Sequence, residues 1–96
     1  NVKHVFHLYV IRTPDRSLVQ EKLKEASISS AIHYPTPLPY LNAYKYLNHV
    51  PSDFPISYDY KNKILSLPMY PELNDKQIEK IAACLKEVYR TSPIYI

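Results

Sequence analysis

Not one glycine occurs in this chain, where an average protein of the same length carries roughly seven, while prolines number nine. Glycine is the residue that lets a backbone turn left-handed or approach a phosphate closely. Without it, neither a P-loop nor a dinucleotide-binding fingerprint can be built in the usual way. Proline fixes φ and withholds a ladder donor, so it ends strands and is tolerated in helices only at their first turn. The chain is thus confined to short strands and helices joined by stiff connections.

A length of 96 residues suits one domain around one core. Hydrophobic residues at 46% and charged residues at 22% are those of an ordinary globular domain. No apolar run reaches the roughly eighteen residues a membrane span needs, and the first residues lack the pattern of a signal peptide. A cytoplasmic location without membrane contact is therefore the expectation. Cys84 is the single cysteine, so no disulfide framework is expected. The net charge of +3 is spread along the chain rather than gathered in a Lys/Arg block, and no nucleic-acid partner is expected from it.

Taken in order, His4 to Ile11 is rich in β-branched and aromatic residues and predicts an interior strand covered at least partly on both faces. Thr13-Pro14-Asp15 predicts a helix start with Thr13 as cap, followed by an apolar stripe at Val19, Leu23 and Ala26. That helix stops near Ser27, at a position where a left-handed cap favours glycine or asparagine. Ile28 to Tyr34 resumes period two and predicts a second strand, ended by Pro35. From Pro35 to Pro51 the chain reads as loop, with a short helix over Leu41 to Leu47, and Pro55 opens another helix with Ile56 and Tyr60 four apart. Ile64 to Leu67 predicts a third strand. Asn74 and Gln77 form a capping box before a helix whose apolar stripe is Ile78, Ile81, Ala82, Leu85, Val88 and Tyr89. Residues 92–96 read as a tail behind a domain of residues 1–91. The expected fold is α+β: a small, three-stranded, mostly antiparallel sheet with helices packed on it.

Two proline-bounded stretches carry the candidate chemistry, Ile32 to Pro39 and Leu65 to Pro71, and they are expected to lie side by side. Polar groups on stiff loops at strand ends are where binding commonly sits. Alternation puts His33 and Tyr34 on opposite faces, with His33 toward the open side; the competing reading is a histidine that only closes its loop by a hydrogen bond. Seven tyrosines between Tyr34 and Tyr70 crowd the middle of the chain, and such side chains favour ligand or partner surfaces. His4 and His7 fall on opposite strand faces and no paired Cys/His spacing exists, so no metal site is expected. Cys84 lies on the flank of the last helix's stripe and reads as a small hydrophobe rather than a nucleophile.

The segments ISSAIHYPTPL (Ile28 to Leu38) and ILSLPMYPEL (Ile64 to Leu73) resemble two conserved segments of the DegT/StrS-type sugar aminotransferases. HVFHLYVIR, DFPISYDYKNK and NDKQIEKIAACLKEVY follow in that family's order, so the resemblance covers nearly the whole chain. It implies the C-terminal small domain of a pyridoxal-phosphate enzyme of fold type I. Such an enzyme moves an amino group to a nucleotide-linked keto-sugar, in polysaccharide or amino-sugar biosynthesis, and works as a homodimer. The resemblance places the cofactor lysine in a large N-terminal domain that precedes this segment. It therefore implies no catalytic residue, no covalently held cofactor and no activity for this stretch by itself. His33, Tyr34 and Tyr70 are implied on the substrate side. Ser27 stands where the family usually has glycine, and Pro39 replaces the histidine that commonly closes the first motif. Two other readings stay open: a sugar dehydratase on the same scaffold, and a free-standing binding module that stacks ligands on its tyrosines.

Overall fold

Ile11, Val19, Leu23, Ile28, Leu65 and Val88 are the apolar side chains withdrawn from solvent, and the rest of the fold is arranged to bring these six together. The computed structural model describes residues 1–96. Its elements in chain order are β1 (Tyr9–Arg12), α1 (Arg16–Glu25), α2 (Pro55–Tyr60), β2 (Ile64–Leu67) and α3 (Asp75–Tyr89). Three short 3-10 turns, Leu38–Tyr40, Asn42–Leu47 and Pro51–Asp53, punctuate the long connection before α2.

The sheet has two strands, not the three expected. β1 and β2 pair antiparallel with Tyr9 opposite Leu67 and Arg12 opposite Ile64. The expected strand over Ile28 to Tyr34 is reduced to a single rung, in which Ala31 and Ser66 exchange backbone hydrogen bonds of 3.1 and 2.7 Å. The cause is local. In that register the next rung one way falls opposite Pro68, which has no N–H to give. The rung the other way falls opposite Ile64, whose carbonyl already accepts from the Arg16 guanidinium at 3.3 Å. β1 is also shorter than expected, pairing only over Tyr9–Arg12. Tyr9 and Val10 are only partly covered, and Phe6 takes a left-handed φ of 51° that breaks the extended run before them.

α1 begins at Arg16, later than the Thr13 cap predicts. Thr13 is fully buried and its N–H continues toward β2, donating to the Lys63 carbonyl at 2.8 Å. The helix ends as a Schellman motif: Ile28 N–H donates to Leu23 O and Ser27 N–H to Lys24 O, with Ser27 at φ 61°. A serine in that region costs on the order of 1 kcal/mol. The contact it secures, Ile28 against Leu23, belongs to the core.

α3 starts as the capping box predicts. Gln77 N–H donates to Asn74 Oδ1 at 2.9 Å and Asn74 N–H to Gln77 Oε1 at 3.0 Å. Its stripe is only half covered: Val88 is buried, Ile81 and Leu85 pack partly on the core, and Ile78 and Tyr89 stay exposed. The last residues are tied back to the sheet. Tyr95 and Arg12 exchange backbone hydrogen bonds, and buried Ser92 donates to Asp15 at 3.0 Å.

Only 9 of the 96 residues are buried. The radius of gyration of 15.7 Å exceeds the roughly 13 Å of a self-contained domain of this size. Much apolar surface is thus left for something else to cover.

Candidate functional site

The proline loop folds back over α2 and leaves a groove of about 850 Å³ beneath it. One wall is Pro35, Pro37 and Pro39, whose fixed φ angles hold the loop without glycine turns. The opposite wall is Ile56, Tyr60 and Lys61 from α2 and the residue after it, with Ile64 of β2 at the end. His33 and Tyr34 stand at the junction, their rings edge to face with centroids 5.3 Å apart. The peptide between them is cis.

His33 is turned inward rather than toward the open side. Its Nδ1 lies 2.8 Å from Oγ of Ser66, which is buried in the middle of β2. This bond and the Ala31–Ser66 rung bind the two proline-bounded stretches together, side by side as the sequence suggests. Tyr34 takes the open position, 71% exposed. Alternation separates the two faces here but does not say which one the core claims, and Ser66 settles that for His33.

Tyr70 does not join them. It lines a second, apolar groove of about 500 Å³ between β1, the end of β2 and α3, with Leu67, Met69, Ile78, Ile81 and Ile96 among its neighbours. The sequence motifs bring two of the three candidate residues to one place and leave the third elsewhere. Tyr60 and Lys61 are groove residues that lie outside both motifs, and Ser66, inside the second motif, acts from beneath by holding His33. The helical spacing of Ile56 and Tyr60 was the available signal for Tyr60 and Lys61.

Elsewhere no three metal-ligating side chains gather, and no helix is long and apolar enough to cross a membrane. Cys84 sits 3.6 Å from the Lys22 carbonyl. Burial chiefly, then the nearby Glu25 carboxylate, pushes its thiol above the usual range, which disfavours a nucleophile. Asp53 is held below the usual carboxylate range, first by the Val50 N–H it accepts at 2.9 Å and then by His49.

Short helices on an antiparallel ribbon, with a proline-walled groove carrying a few polar groups at one end and an apolar groove at the other, define a small α+β domain. The profile of the DegT/DnrJ/EryC1/StrS aminotransferase family matches residues 1–86, and the chain belongs to that family. It corresponds to the C-terminal part of longer members. It is 37% identical over 87 residues to a pleiotropic regulatory protein of Geobacillus stearothermophilus, covering 91% of this chain and 23% of that one. With the dTDP-3-amino-3,6-dideoxy-alpha-D-galactopyranose transaminase of Aneurinibacillus thermoaerophilus it shares 35% identity over 78 residues, 81% of this chain and 21% of the relative. Among solved structures, a DegT DnrJ EryC1 StrS aminotransferase from Brucella abortus superimposes with a TM-score of 0.77 at 32% identity, covering 84% of this chain and 22% of that one. The chain thus spans less than a quarter of the length of these relatives.

The family is pyridoxal-phosphate-dependent, and the residues present here do not by themselves fit that cofactor. All nine lysines are exposed or half-buried, so none has the desolvated setting that makes an amine a good nucleophile. Lys63 is held by Asp59 at 2.8 and 2.9 Å, and the Lys61 ammonium lies over the Tyr58 ring. Without glycine, the chain cannot build a glycine-rich loop around the cofactor phosphate.

Proposed function

We propose that this chain is the substrate-side domain of a pyridoxal-phosphate-dependent aminotransferase acting on a nucleotide-linked keto-sugar, and that the cofactor and its lysine belong to the rest of such a polypeptide. The observation that carries this is the tie through Ser66. It joins the two motifs of the family into one rigid wall, with Tyr34 projecting from it beside an open groove. On this reading the wall's work is to bind and orient. Tyr34 offers a ring face and a hydroxyl to the ligand. His33, fixed by Ser66, sets the direction of the loop rather than moving a proton.

The apolar groove at the other end of β2 fits the same reading as the face that the larger domain covers. It presents almost no polar group, as suits a surface buried against protein. Residues 1–91 are then the small domain, with 92–96 docked on its sheet, and the working form is a homodimer.

A chimera tests this. The corresponding segment of the Aneurinibacillus transaminase is replaced by this chain, and the product is assayed with dTDP-3-amino-3,6-dideoxy-α-D-galactopyranose and 2-oxoglutarate. The chimera should transfer the amino group, and Tyr34→Ala in it should raise KM about tenfold. A folded, cofactor-loaded chimera without any transfer, beside an active parent, would overturn the proposal.

A further inference from the structure

The groove beneath the proline loop contains one full positive charge and no carboxylate. Lys61 is the lining residue that carries it; its neighbours there are apolar side chains, hydroxyls and His33. Lys63, two residues on, is neutralised by both oxygens of Asp59, whereas no acidic side chain lies within ion-pairing distance of Lys61. Its ammonium is poised 4.4 Å from the centroid of the Tyr58 ring, which in turn packs edge to face on Tyr40.

The backbone at this point is also fixed from outside the groove. Arg16 of α1 reaches across and donates to the Lys61 carbonyl at 2.6 Å and the Ile64 carbonyl at 3.3 Å. The Lys63 N–H closes the turn on the Tyr60 carbonyl at 2.9 Å. Lys61 therefore leaves a held backbone, with its half-buried side chain resting on an aromatic face. Lys61 is half-buried and without a carboxylate partner, and Tyr34, Thr36 and Ser57 line the same groove with hydroxyls; that combination favours an anion, and phosphate oxygens match it best.

We propose that Lys61 is the anion-recognition group of this groove and takes a phosphate-bearing ligand. Where the aminotransferase reading holds, on which this identification rests, that ligand is the diphosphate of the nucleotide-linked sugar. The sugar end then points toward Tyr34 and the proline wall, and Lys61 sets affinity without touching the reacting carbon.

The test is a titration of the isotope-labelled 96-residue chain with inorganic pyrophosphate, UDP and uridine at low salt, followed by NMR. Pyrophosphate and UDP should shift the amides of Ser57 to Ile64, and uridine should shift them far less. Lys61→Met, which keeps the stem, should weaken pyrophosphate about tenfold, and Lys61→Arg should restore it. Lys86→Ala, on exposed α3 away from the groove, should leave it within about twofold. Equal losses in the Lys61 and Lys86 variants, or shifts spread over all lysines, would show diffuse screening and overturn the site. No shift at all would overturn it too. In the chimera the same substitution should raise KM and leave kcat unchanged. Pyrophosphate seated at Lys61 in an inactive chimera sinks the aminotransferase reading and keeps the site. An active chimera indifferent to Lys61→Met sinks the site and keeps the reading.

Discussion

At one end of β2, where Ile64 opens the strand, the groove is walled by prolines and rimmed by His33, Tyr34, Tyr60 and Lys61. At the other end, where Leu67 closes it, the groove between β1 and α3 is lined almost wholly by apolar side chains, Tyr70 included. The two differ in how they are held as well as in what they show. The first is tied from α1 by the Arg16 guanidinium on the Lys61 carbonyl and from β2 by the Ser66 hydroxyl on His33, so the His33 ring and the Lys61 backbone have set directions before any ligand arrives. The second has no such ties and little polarity, and only an apolar surface of complementary shape could satisfy it. A largely apolar groove with a few polar groups at its rim, and a groove with almost none, on one four-residue strand suit a domain that binds with one end and docks with the other.

Leu65 lies between the grooves and supports both. It is fully buried, so Leu65→Ala should cost about 3 kcal/mol and, in a fold with so small a core, erase both grooves together. A urea titration followed by circular dichroism would read this. A variant that kept its midpoint would show that the grooves are held independently of the core. Ser66→Ala should separate them. Removing the hydroxyl frees His33 and should cost about 1.5 kcal/mol, with NMR shifts confined to residues 31–39 and none at Ile78 or Ile81. Shifts that reach α3 would contradict the division.

Much of this division is legible in the residues. The Asn74–Gln77 box and the stripe behind it specify α3, and the proline pairs specify where β2 and the loop end. The third strand was the misreading. Ile28 to Tyr34 alternates convincingly, but a strand also needs a partner with free donors and acceptors. Pro68 withholds the donor at one end and Arg16 occupies the carbonyl at the other. Both partners lie more than thirty residues away in one direction or more than ten in the other, beyond what a local pattern can report. The same distance hid the choice between His33 and Tyr34, since that depended on which face Ser66 would present.

On the apolar side, Asn74→Ala removes the cap of α3 and should cost about 1 kcal/mol, with faster hydrogen exchange over residues 75–78. The proline groove should keep its exchange rates. Ile78→Ser tests the face itself. Ile78 is 51% exposed, so the change should alter stability by no more than about 0.5 kcal/mol while clearly lowering fluorescence of a bound naphthalene-sulfonate dye. Unchanged dye binding would mean that this groove is not the exposed apolar surface of the chain.

The smallest effect concerns the connection from the proline loop into α2, where Asp53 closes a 3-10 turn by accepting from the Val50 N–H, with His49 at 3.3 Å. Its carboxyl is held below the ordinary value of 3.8, first by that N–H and then by His49. A depressed folded-state pKa stabilises the turn above the unfolded value, and the contribution fades as pH falls from about 3.8 through the lower, folded value. Asp53 lies exposed at the surface, so the loss should be local. Exchange protection over residues 50–54 should drop below pH 4 while Leu65 and Val88 stay protected, and Asp53→Asn should remove that pH dependence. If the proline groove lost protection in step with the turn, its rigidity would come from this exposed connection and not from Arg16 and Ser66, and the contrast between a held groove and a bare one would fail.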